Sequence, residues 1–234
     1  MNQNKHPQKD AYHLILEAID MGLYKPGDRL VLSSPPRPPP VYAREVEVVY
    51  LDEHMAVVDK PPGIPVSGNK HRTLEHALPH NLPPCEHPQA LYVPRPVHRL
   101  DVRTGGLVVV ARTGPAQVAL GHLFQQRKVK KRYRALVVGR LEGEGEETAP
   151  VDGRDARSLW RAVEHTRSLH AGWITSVDLW PVTGRTHQLR LHMAWRGHPV
   201  LGDDLHGGEG AMRGKGLFLR ALALELPHPI TGEP

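Results

Sequence analysis

The apolar segments of this chain have the length and residue types of β-strands, which limits the folds open to it. Residues 45–50 alternate between charged and apolar side chains, and residues 55–59 form a second short apolar run. Residues 52–54, between these runs, predict a hairpin turn. The chain has 23 Pro and 22 Gly in 234 residues, which favours turns and irregular segments and argues against a helix bundle.

Further strands and helices are predicted along the chain from the same kind of pattern. The later predicted strands are 107–111, 133–138, 160–166, 173–179 and 217–226. The predicted helices are 11–23, one that starts at 113–115, and one that runs from an N-cap at Thr186 to about Trp195. The Pro-rich segment 33–40 predicts a linker, so we divide the chain into an N-terminal extension, 1–40, and a main domain, 41–234.

Asp101 lies on a loop that leads into a buried strand. The loop spans residues 96–106, and the apolar strand 107–111 follows it. Loops held by a rigid element often carry catalytic groups. Arg99 and Arg103 flank Asp101, and a nearby guanidinium favours an ionised carboxylate. On these residues alone, a catalytic Asp101 and an inert aspartate in a basic turn both remain open.

The charge of the chain suits a polyanionic partner such as nucleic acid. The formal net charge is +5, and a run of basic residues precedes the strand at 133–138. The members of this run are Arg127, Lys128, Lys130, Lys131 and Arg132. They either complement the dipole of a helix end or contact phosphates, and the sequence leaves both readings open.

The sequence predicts a cytoplasmic protein with no membrane partner and no metal. Cys85 is the single cysteine, so the chain has no internal disulfide and fits a reducing compartment. Residues 1–9 contain no apolar signal core, and no segment has the roughly 18 apolar residues of a membrane span. His76 and His80 have the spacing of two metal ligands on a helix face, but Pro79 lies between them and no third ligand follows at motif spacing. We therefore predict a solvated loop at residues 67–95 rather than a metal site.

Four segments of the chain, in order, resemble the motifs of the RluA-type pseudouridine synthase family. They are 58–66, 98–104, 131–137 and 183–203, and the resemblance covers about residues 41–234. The resemblance implies an α+β fold, with a mixed, largely antiparallel sheet, flanking helices and loops, and an active cleft across the sheet. It also implies an enzyme that isomerises uridine in RNA to pseudouridine without a cofactor or a metal.

The same resemblance assigns roles to individual residues. Asp101 matches the catalytic aspartate, which acts as nucleophile or base on the nucleoside, and Tyr133 matches the tyrosine that packs against the target base. Arg185 matches the arginine that pairs with the aspartate, and a bidentate pair between Arg185 and Asp101 is expected. Arg99 matches an arginine that fills the space left by the flipped nucleotide.

The remaining predicted substrate-binding residues surround these positions. They are Lys60, Thr104, Lys131, His187 and Arg190. Lys60 has two other readings, as a surface charge or as a packing partner near the cleft. His98, His187 and His192 are expected to be structural hydrogen-bonding groups rather than catalysts.

The sequence thus predicts a monomeric RNA pseudouridine synthase that acts by base flipping on a uridine in structured RNA. Residues 1–40 are too short for the S4 RNA-binding domain of many family members, which slightly favours a tRNA target over rRNA. One alternative is a catalytically inactive RNA-binding protein that uses the same basic cleft. A second alternative, a metal hydrolase that uses the abundant histidines, belongs to another class of enzyme.

Overall fold

The computed structural model of the chain describes residues 41–208, 214 and 216–233. The predicted helix at 11–23, the linker at 33–40 and the extension 1–40 lie outside these residues. In the described part, nine strands form one sheet, accompanied by three helices. No helix among them is long and apolar enough to cross a membrane.

The sheet is mixed and largely antiparallel, which confirms the predicted α+β fold class. The strands are β1 (Glu47–Leu51), β2 (Met55–Lys60), β3 (Ala90–Pro96), β4 (Gly105–Thr113), β5 (Lys130–Val138), β6 (Glu144–Glu147), β7 (Ser158–Ser168), β8 (Gly172–Pro181) and β9 (Leu219–Glu225). The helices are α1 (Leu74–Asn81), α2 (Gly114–Gln125) and α3 (Gln188–Trp195). The strand order is β1-β2-β4-β9-β5-β8-β7-β6, with β3 also on β4, and the parallel pair is β4 with β9.

The β1–β2 hairpin forms where the alternating pattern predicts it. Asp52 begins the turn, and its Oδ1 accepts hydrogen bonds from the backbone N–H groups of His54 and Met55 at 2.7 and 2.8 Å. A side-chain acceptor of this kind replaces a backbone partner in a tight turn. The local sequence is therefore enough to fix this end of the sheet.

The segment 67–95 is not the irregular loop that the sequence predicts, because it contains α1 and β3. The Thr73 hydroxyl caps α1 by accepting a hydrogen bond from the His76 N–H at 3.2 Å. Leu74 and Leu78 are fully buried in the core, and their burial supports the helix although Pro79 lies inside it. Burial of apolar side chains outweighs a weak helix propensity.

The described core has three parts, and two of them meet at Tyr133, while the third lies between β4 and α2. Of the two that meet, one lies around β2, β4 and α1, and the other lies around β5, β8 and α3. Tyr133 packs against both. This strand residue is therefore held from two sides, beside the end of the loop that carries Asp101.

Gly106 allows β4 to approach β9 at the centre of the sheet. Its φ is 117°, and a Cβ atom there would lie 2.2 Å from the carbonyl oxygen of Ala221. Only glycine tolerates both conditions. The close approach fixes the start of β4, directly after Thr104, and so positions the Asp101 loop against the middle of the sheet.

Candidate active site

A pocket of about 300 Å³ contains most of the predicted site residues. Three chain segments supply most of its lining, namely the loop before β4, the start of β5, and the chain from the end of β8 into α3. The predicted site residues that line it are Arg99, Asp101, Thr104, Lys131, Tyr133, Arg185, His187 and Arg190. The fold therefore brings together side chains that are up to 91 residues apart, from Arg99 to Arg190.

Asp101 is presented to this pocket by a turn. The Thr104 N–H donates to the Asp101 carbonyl oxygen at 3.1 Å, and the Asp101 side chain is 22% exposed. Arg103 does not flank the carboxylate as the sequence suggests, because its guanidinium pairs with Asp204 and donates to the Gly202 carbonyl oxygen. Arg99 is exposed and remains at the pocket wall.

The guanidinium next to Asp101 comes from α3. The Nη1 atom of Arg190 lies 3.6 Å from Asp101 Oδ2. Its Nε and Nη2 atoms donate to the two carboxylate oxygens of Asp203 at 2.7 and 2.6 Å. Asp203 is fully buried, and its Oδ1 also accepts from the N–H groups of Leu205 and His206 at 3.1 Å. Asp203 thus fixes two of the guanidinium nitrogens and leaves the third for Asp101.

The Arg190–Asp203 pair stays ionised although it is buried. Burial opposes both charges, but the hydrogen bonds and charge of Asp203, helped by Asp101, raise the pKa of Arg190. In turn, burial would raise the pKa of Asp203, but Arg190 and the two backbone donors outweigh it and lower that pKa. The side chain presented to Asp101 is therefore a fixed positive charge.

The expected pair between Arg185 and Asp101 is not formed. The Arg185 Nε donates to the carbonyl oxygen of Asp155 at 3.0 Å, while Arg185 lines the pocket. Gln188 holds this loop, since its Oε1 accepts from the Arg185 N–H at 3.0 Å and from the Thr183 hydroxyl at 2.7 Å. These bonds set the loop so that Arg190, in the first turn of α3, reaches the carboxylate instead.

The start of α3 also differs from its prediction. The helix begins at Gln188 and is preceded by His187 in a left-handed conformation, with φ 55°, so Thr186 is not its cap. His187 Nε2 lies 3.8 Å from Asp101 Oδ2, and its Nδ1 lies 3.0 Å from Nε2 of His206. A non-glycine residue in this region is uncommon and often marks a functional site.

Tyr133 and Lys131 lie two positions apart on β5 and reach the same pocket. Burial, followed by the negative charge of Asp101, raises the pKa of Tyr133, so this side chain is a neutral phenol. Burial lowers the pKa of Lys131, and no carboxylate among the described residues lies within ion-pair distance of it. A half-buried ammonium without an anionic partner is well suited to an anionic ligand.

Thr104 also offers an unused polar group. Its side chain is buried, and its Oγ1 has no hydrogen-bond partner in the described part of the chain. Buried hydroxyl groups are nearly always paired, so an unpaired hydroxyl in a pocket lining is available to a ligand or to water.

The prediction that Lys60 binds substrate is wrong, since its side chain is fully buried and does not line the pocket. Its Nζ donates to the carbonyl oxygens of Pro61, Ile64 and Val102 at 3.0, 2.9 and 3.3 Å. It therefore joins the loop after β2 to the loop that carries Asp101, as a packing partner rather than a substrate-binding group.

The buried Lys60 makes stability depend on pH. Burial lowers its pKa from 10.5 to about 8, against the opposing charges of Asp101 and Asp59. Between these two values the unfolded chain binds more protons, so stability rises with pH. From about pH 7.5 to about pH 9.5, we expect the free energy of unfolding of the wild type to rise relative to Lys60→Met by about 1 to 2 kcal/mol, measured by urea denaturation.

The control is Lys130→Met, because Lys130 is exposed. This variant shows how the loss of a surface lysine changes the pH dependence of the free energy of unfolding. If the curves of wild type and Lys60→Met run parallel with pH, Lys60 is not buried as a charged group in the folded protein.

His98 and His192 make hydrogen bonds within the fold, as expected of structural groups, although His98 also lines the pocket. His98 Nε2 accepts from the Val109 N–H at 3.0 Å, and its ring stacks on Phe124 at 4.5 Å between centroids. Burial, together with the charge of Lys131, lowers the pKa of His98 to about 3. His192 is fully buried and is hydrogen-bonded to the Ser158 hydroxyl and the Ala149 carbonyl oxygen.

One group of described residues has a spacing that could hold a metal ion. Ligand atoms of Glu53, His54 and His87 lie within 4.8 Å of one another, near the β1–β2 turn. None of these residues lines the Asp101 pocket. His76 and His80 have other partners, the His71 carbonyl oxygen and Glu45, respectively.

Sequence reasoning missed Gln188 and Asp203, whose side chains hold the site in place by hydrogen bonds. Both lie within the segment 183–203 that carries the family resemblance, but no local pattern indicates their partners. Their role depends on contacts with residues up to 31 positions away, including the Arg157 carbonyl oxygen, to which Gln188 Nε2 donates.

Comparison with known proteins identifies relatives of this arrangement. The model of the family described as RNA pseudouridylate synthase matches residues 54–195. The chain is 37% identical over 215 residues to the Nitrosomonas europaea protein named ribosomal large subunit pseudouridine synthase D, covering 80% of this chain and 60% of that one. It is 37% identical over 205 residues to the Haemophilus influenzae dual-specificity RNA pseudouridine synthase RluA, covering 80% of this chain and 90% of that one.

A solved structure has a similar fold. The human RNA pseudouridylate synthase domain containing 1 matches with a TM-score of 0.68 and 28% identity, covering 81% of each chain. The present chain spans about 60% of the length of the synthase D relative, so similarity to that protein covers only part of it.

Proposed function

This chain belongs to the RNA pseudouridylate synthase family, and from that membership we propose that it converts a specific uridine in RNA to pseudouridine. The observation that carries the proposal is the position of Asp101. Its carboxylate lies in a pocket, 3.6 Å from a guanidinium that a buried aspartate holds in place, with Tyr133 in the same lining.

In the proposed reaction, Asp101 acts on the nucleoside so that the bond between N1 of the base and C1′ of the ribose breaks. The base rotates in the pocket and rejoins C1′ through C5. The C5 proton is lost and N1 gains a proton, so the reaction is an isomerisation and needs no oxidant or reductant. The neutral Tyr133 packs against the base, and the unpaired Thr104 hydroxyl is available to a polar edge of it.

The pocket is accessible only to a uridine that has left its stack, because a side-chain carboxylate cannot reach C1′ within a helix. Flipping costs about a few kcal/mol. Arg99 and Arg185 at the pocket rim, with Lys131 at its side, offset this cost by binding phosphates. Arg99 also fills the vacated stack in this proposal.

We propose large-subunit ribosomal RNA as the substrate. The relatives from Nitrosomonas europaea and Xanthomonas campestris are named for the ribosomal large subunit, the latter at 39% identity. These names give no support to the slight preference for tRNA predicted from the sequence. A cytoplasmic location, a monomeric state, and activity without a cofactor or metal remain predictions of the sequence.

The test is to incubate the purified full chain with transcripts of large-subunit ribosomal RNA and, separately, with unmodified tRNA, in the presence of a chelator. Pseudouridine is then mapped by mass spectrometry. The proposal expects one uridine or a few uridines to be converted in the ribosomal transcript. RNA binding without conversion of either RNA would instead support an inactive RNA-binding protein.

The sequence predicts Arg185 as the partner of the Asp101 carboxylate, whereas the structure places Arg190 there. The activities of variants at the two positions distinguish these assignments. Replacement of Arg190 by lysine removes the fork that holds Asp203 and Asp101 together. We expect Arg190→Lys to lower the single-turnover rate by about 100-fold or more, and Arg185→Lys by less than about tenfold. Each variant is first shown to be folded by circular dichroism.

The reverse order, with Arg185→Lys the more damaging change, would support the original assignment of Arg185. It would mean that Arg185 leaves the Asp155 carbonyl oxygen and reaches Asp101 when RNA binds.

A further inference from the structure

A second groove adjoins the candidate active site. Its volume is about 730 Å³, within the range of ligand sites. It is lined by the chain from Arg127 into β5, by β6, by the start of β7, and by residues 180–182. Lys131 and Pro181 line both the groove and the Asp101 pocket, so the two spaces are adjacent.

We propose that this groove binds the base of the nucleotide next to the target uridine, and that Lys131 binds the phosphate that joins the two nucleotides. This inference rests on the proposed function in that it takes RNA as the substrate, and it adds a second nucleotide subsite to the same cleft.

The floor of the groove suits a nucleic-acid base. Trp180 is half-buried on β8 and lies opposite Leu159 on β7. Leu159 and Val182 are each 37% exposed, although both are apolar. The guanidinium carbon of Arg161 lies 5.5 Å from the centroid of the Trp180 ring. An aromatic ring with apolar neighbours and a stacked guanidinium is the kind of platform on which bases stack.

Lys131 is placed to bind the connecting phosphate. It is half-buried, its pKa is lowered by burial, and no described carboxylate lies within ion-pair distance of it. The exposed Arg127 is equally without such a partner in the part of the chain described. A phosphate between the pocket and the groove would supply the anion that Lys131 lacks.

The balance of charge in the groove favours RNA over a protein segment. Four cations line it, Arg127, Lys130, Lys131 and Arg161, against two carboxylates, Glu144 and Glu146. Glu146 is already held by Arg157, which donates to its two oxygens at 2.7 and 2.9 Å. Lys130 in turn pairs with Glu225 at 2.8 Å, and Arg161 lies 4.0 Å from Asp178. Arg127 and Lys131 therefore remain against Glu144, so the balance is still positive, and the groove adjoins the pocket that we assign to the RNA. The basic run 127–132, whose role the sequence leaves open, is thereby assigned in part to phosphate binding.

The first test is photocrosslinking with transcripts of large-subunit ribosomal RNA that carry 5-iodouridine. On irradiation of the full chain with this RNA, we expect mass spectrometry to find an adduct on Trp180. The matched residue is Trp173, which is also half-buried on β8 and also carries a stacked guanidinium, that of Arg167 at 4.1 Å. Adducts on Trp173 without any on Trp180 would overturn the proposal.

The second test measures affinity for the same transcripts. We expect Trp180→Ala to raise the dissociation constant about tenfold, Trp180→Phe to stay within about threefold of wild type, and Trp173→Ala to match wild type. Lys131→Gln should reduce by about one the slope of log affinity against log salt concentration. A merely structural lysine would not change that slope.

Equal affinity of wild type and Trp180→Ala, or an unchanged salt slope for Lys131→Gln, would overturn the subsite and leave the groove to a protein partner. If Trp180→Ala does not fold, the affinity of Trp180→Phe and the crosslink on the wild-type chain still test the subsite. Both readouts are binding measurements, so a failure of the proposed catalytic activity, seen as no pseudouridine, is distinguishable from a failure of this subsite.

Discussion

Replacement of Asp101 by asparagine is expected to lower the single-turnover rate of pseudouridine formation on the order of 10³-fold or more. Asparagine has nearly the same shape but can act neither as the nucleophile nor as the base of the proposed reaction. The Asp101 side chain is 22% exposed, and Arg190 keeps its two hydrogen bonds to Asp203, so the fold should be retained. The rate is measured on the transcript that the wild type modifies, at saturating enzyme.

The control for this prediction is Asp204→Asn. Asp204 pairs with Arg103 at the edge of the same loop, but it does not line the pocket. It should leave the rate within about threefold of wild type, because a partly exposed ion pair contributes little. If Asp101→Asn forms pseudouridine at the rate of wild type while folded, Asp101 is not the catalytic group and the proposed mechanism is wrong.

Replacement of Asp203 by alanine is expected to lower the free energy of unfolding by about 3 to 5 kcal/mol. The cause is the uncompensated charge that remains, since the Arg190 guanidinium stays buried after its bidentate partner is gone. The backbone N–H groups of Leu205 and His206 also lose their acceptor. Urea denaturation at neutral pH measures the change.

The neighbouring Asp204 again supplies the control, because it is 46% exposed in its side chain while Asp203 is fully buried. Asp204→Ala should cost about 0 to 1 kcal/mol. If both alanine variants lose the same small amount, the Arg190–Asp203 pair does not hold the site as described.

The Asp203 effect should also depend on pH, and its sign follows from the lowered pKa of this carboxyl. In acid, below the ordinary value of 3.8, the unfolded chain takes up a proton that folded Asp203 resists. The stability contributed by Asp203 is therefore present above that value and lost as the pH falls through the lower folded value. The difference between wild type and Asp203→Ala should shrink over that acid range.

Local sequence alone determined several elements of this protein. The alternation of β1 and β2 and the turn residue Asp52 predict their hairpin, because a two-residue period and a side-chain acceptor act over a few residues. The position of Tyr133 on a strand was predicted correctly for the same reason, whereas the predicted flanking of Asp101 by Arg103 was wrong. The hydrogen bonding of His98 and His192 within the fold was also predicted.

Local sequence did not predict the elements that depend on distant burial. The helix α1 contains Pro79 and has a weak pattern, and it forms because Leu74 and Leu78 reach a core built from β2 and β4. The sequence predicts Lys60 as a substrate-binding charge, but three carbonyl oxygens from two loops accept hydrogen bonds from its ammonium group. Neither set of partners is adjacent in the chain.

The sequence by itself determined which residue types meet in the site, and the tertiary structure decided which of them pair. Arg185 and Arg190 are equally able to bind a carboxylate, and five positions separate them. The choice falls on Arg190 because α3 starts at Gln188 and because the buried Asp203 fixes two of its nitrogens. An ion pair depends on distance and burial in space, and those were set only when β4, β5 and α3 packed together.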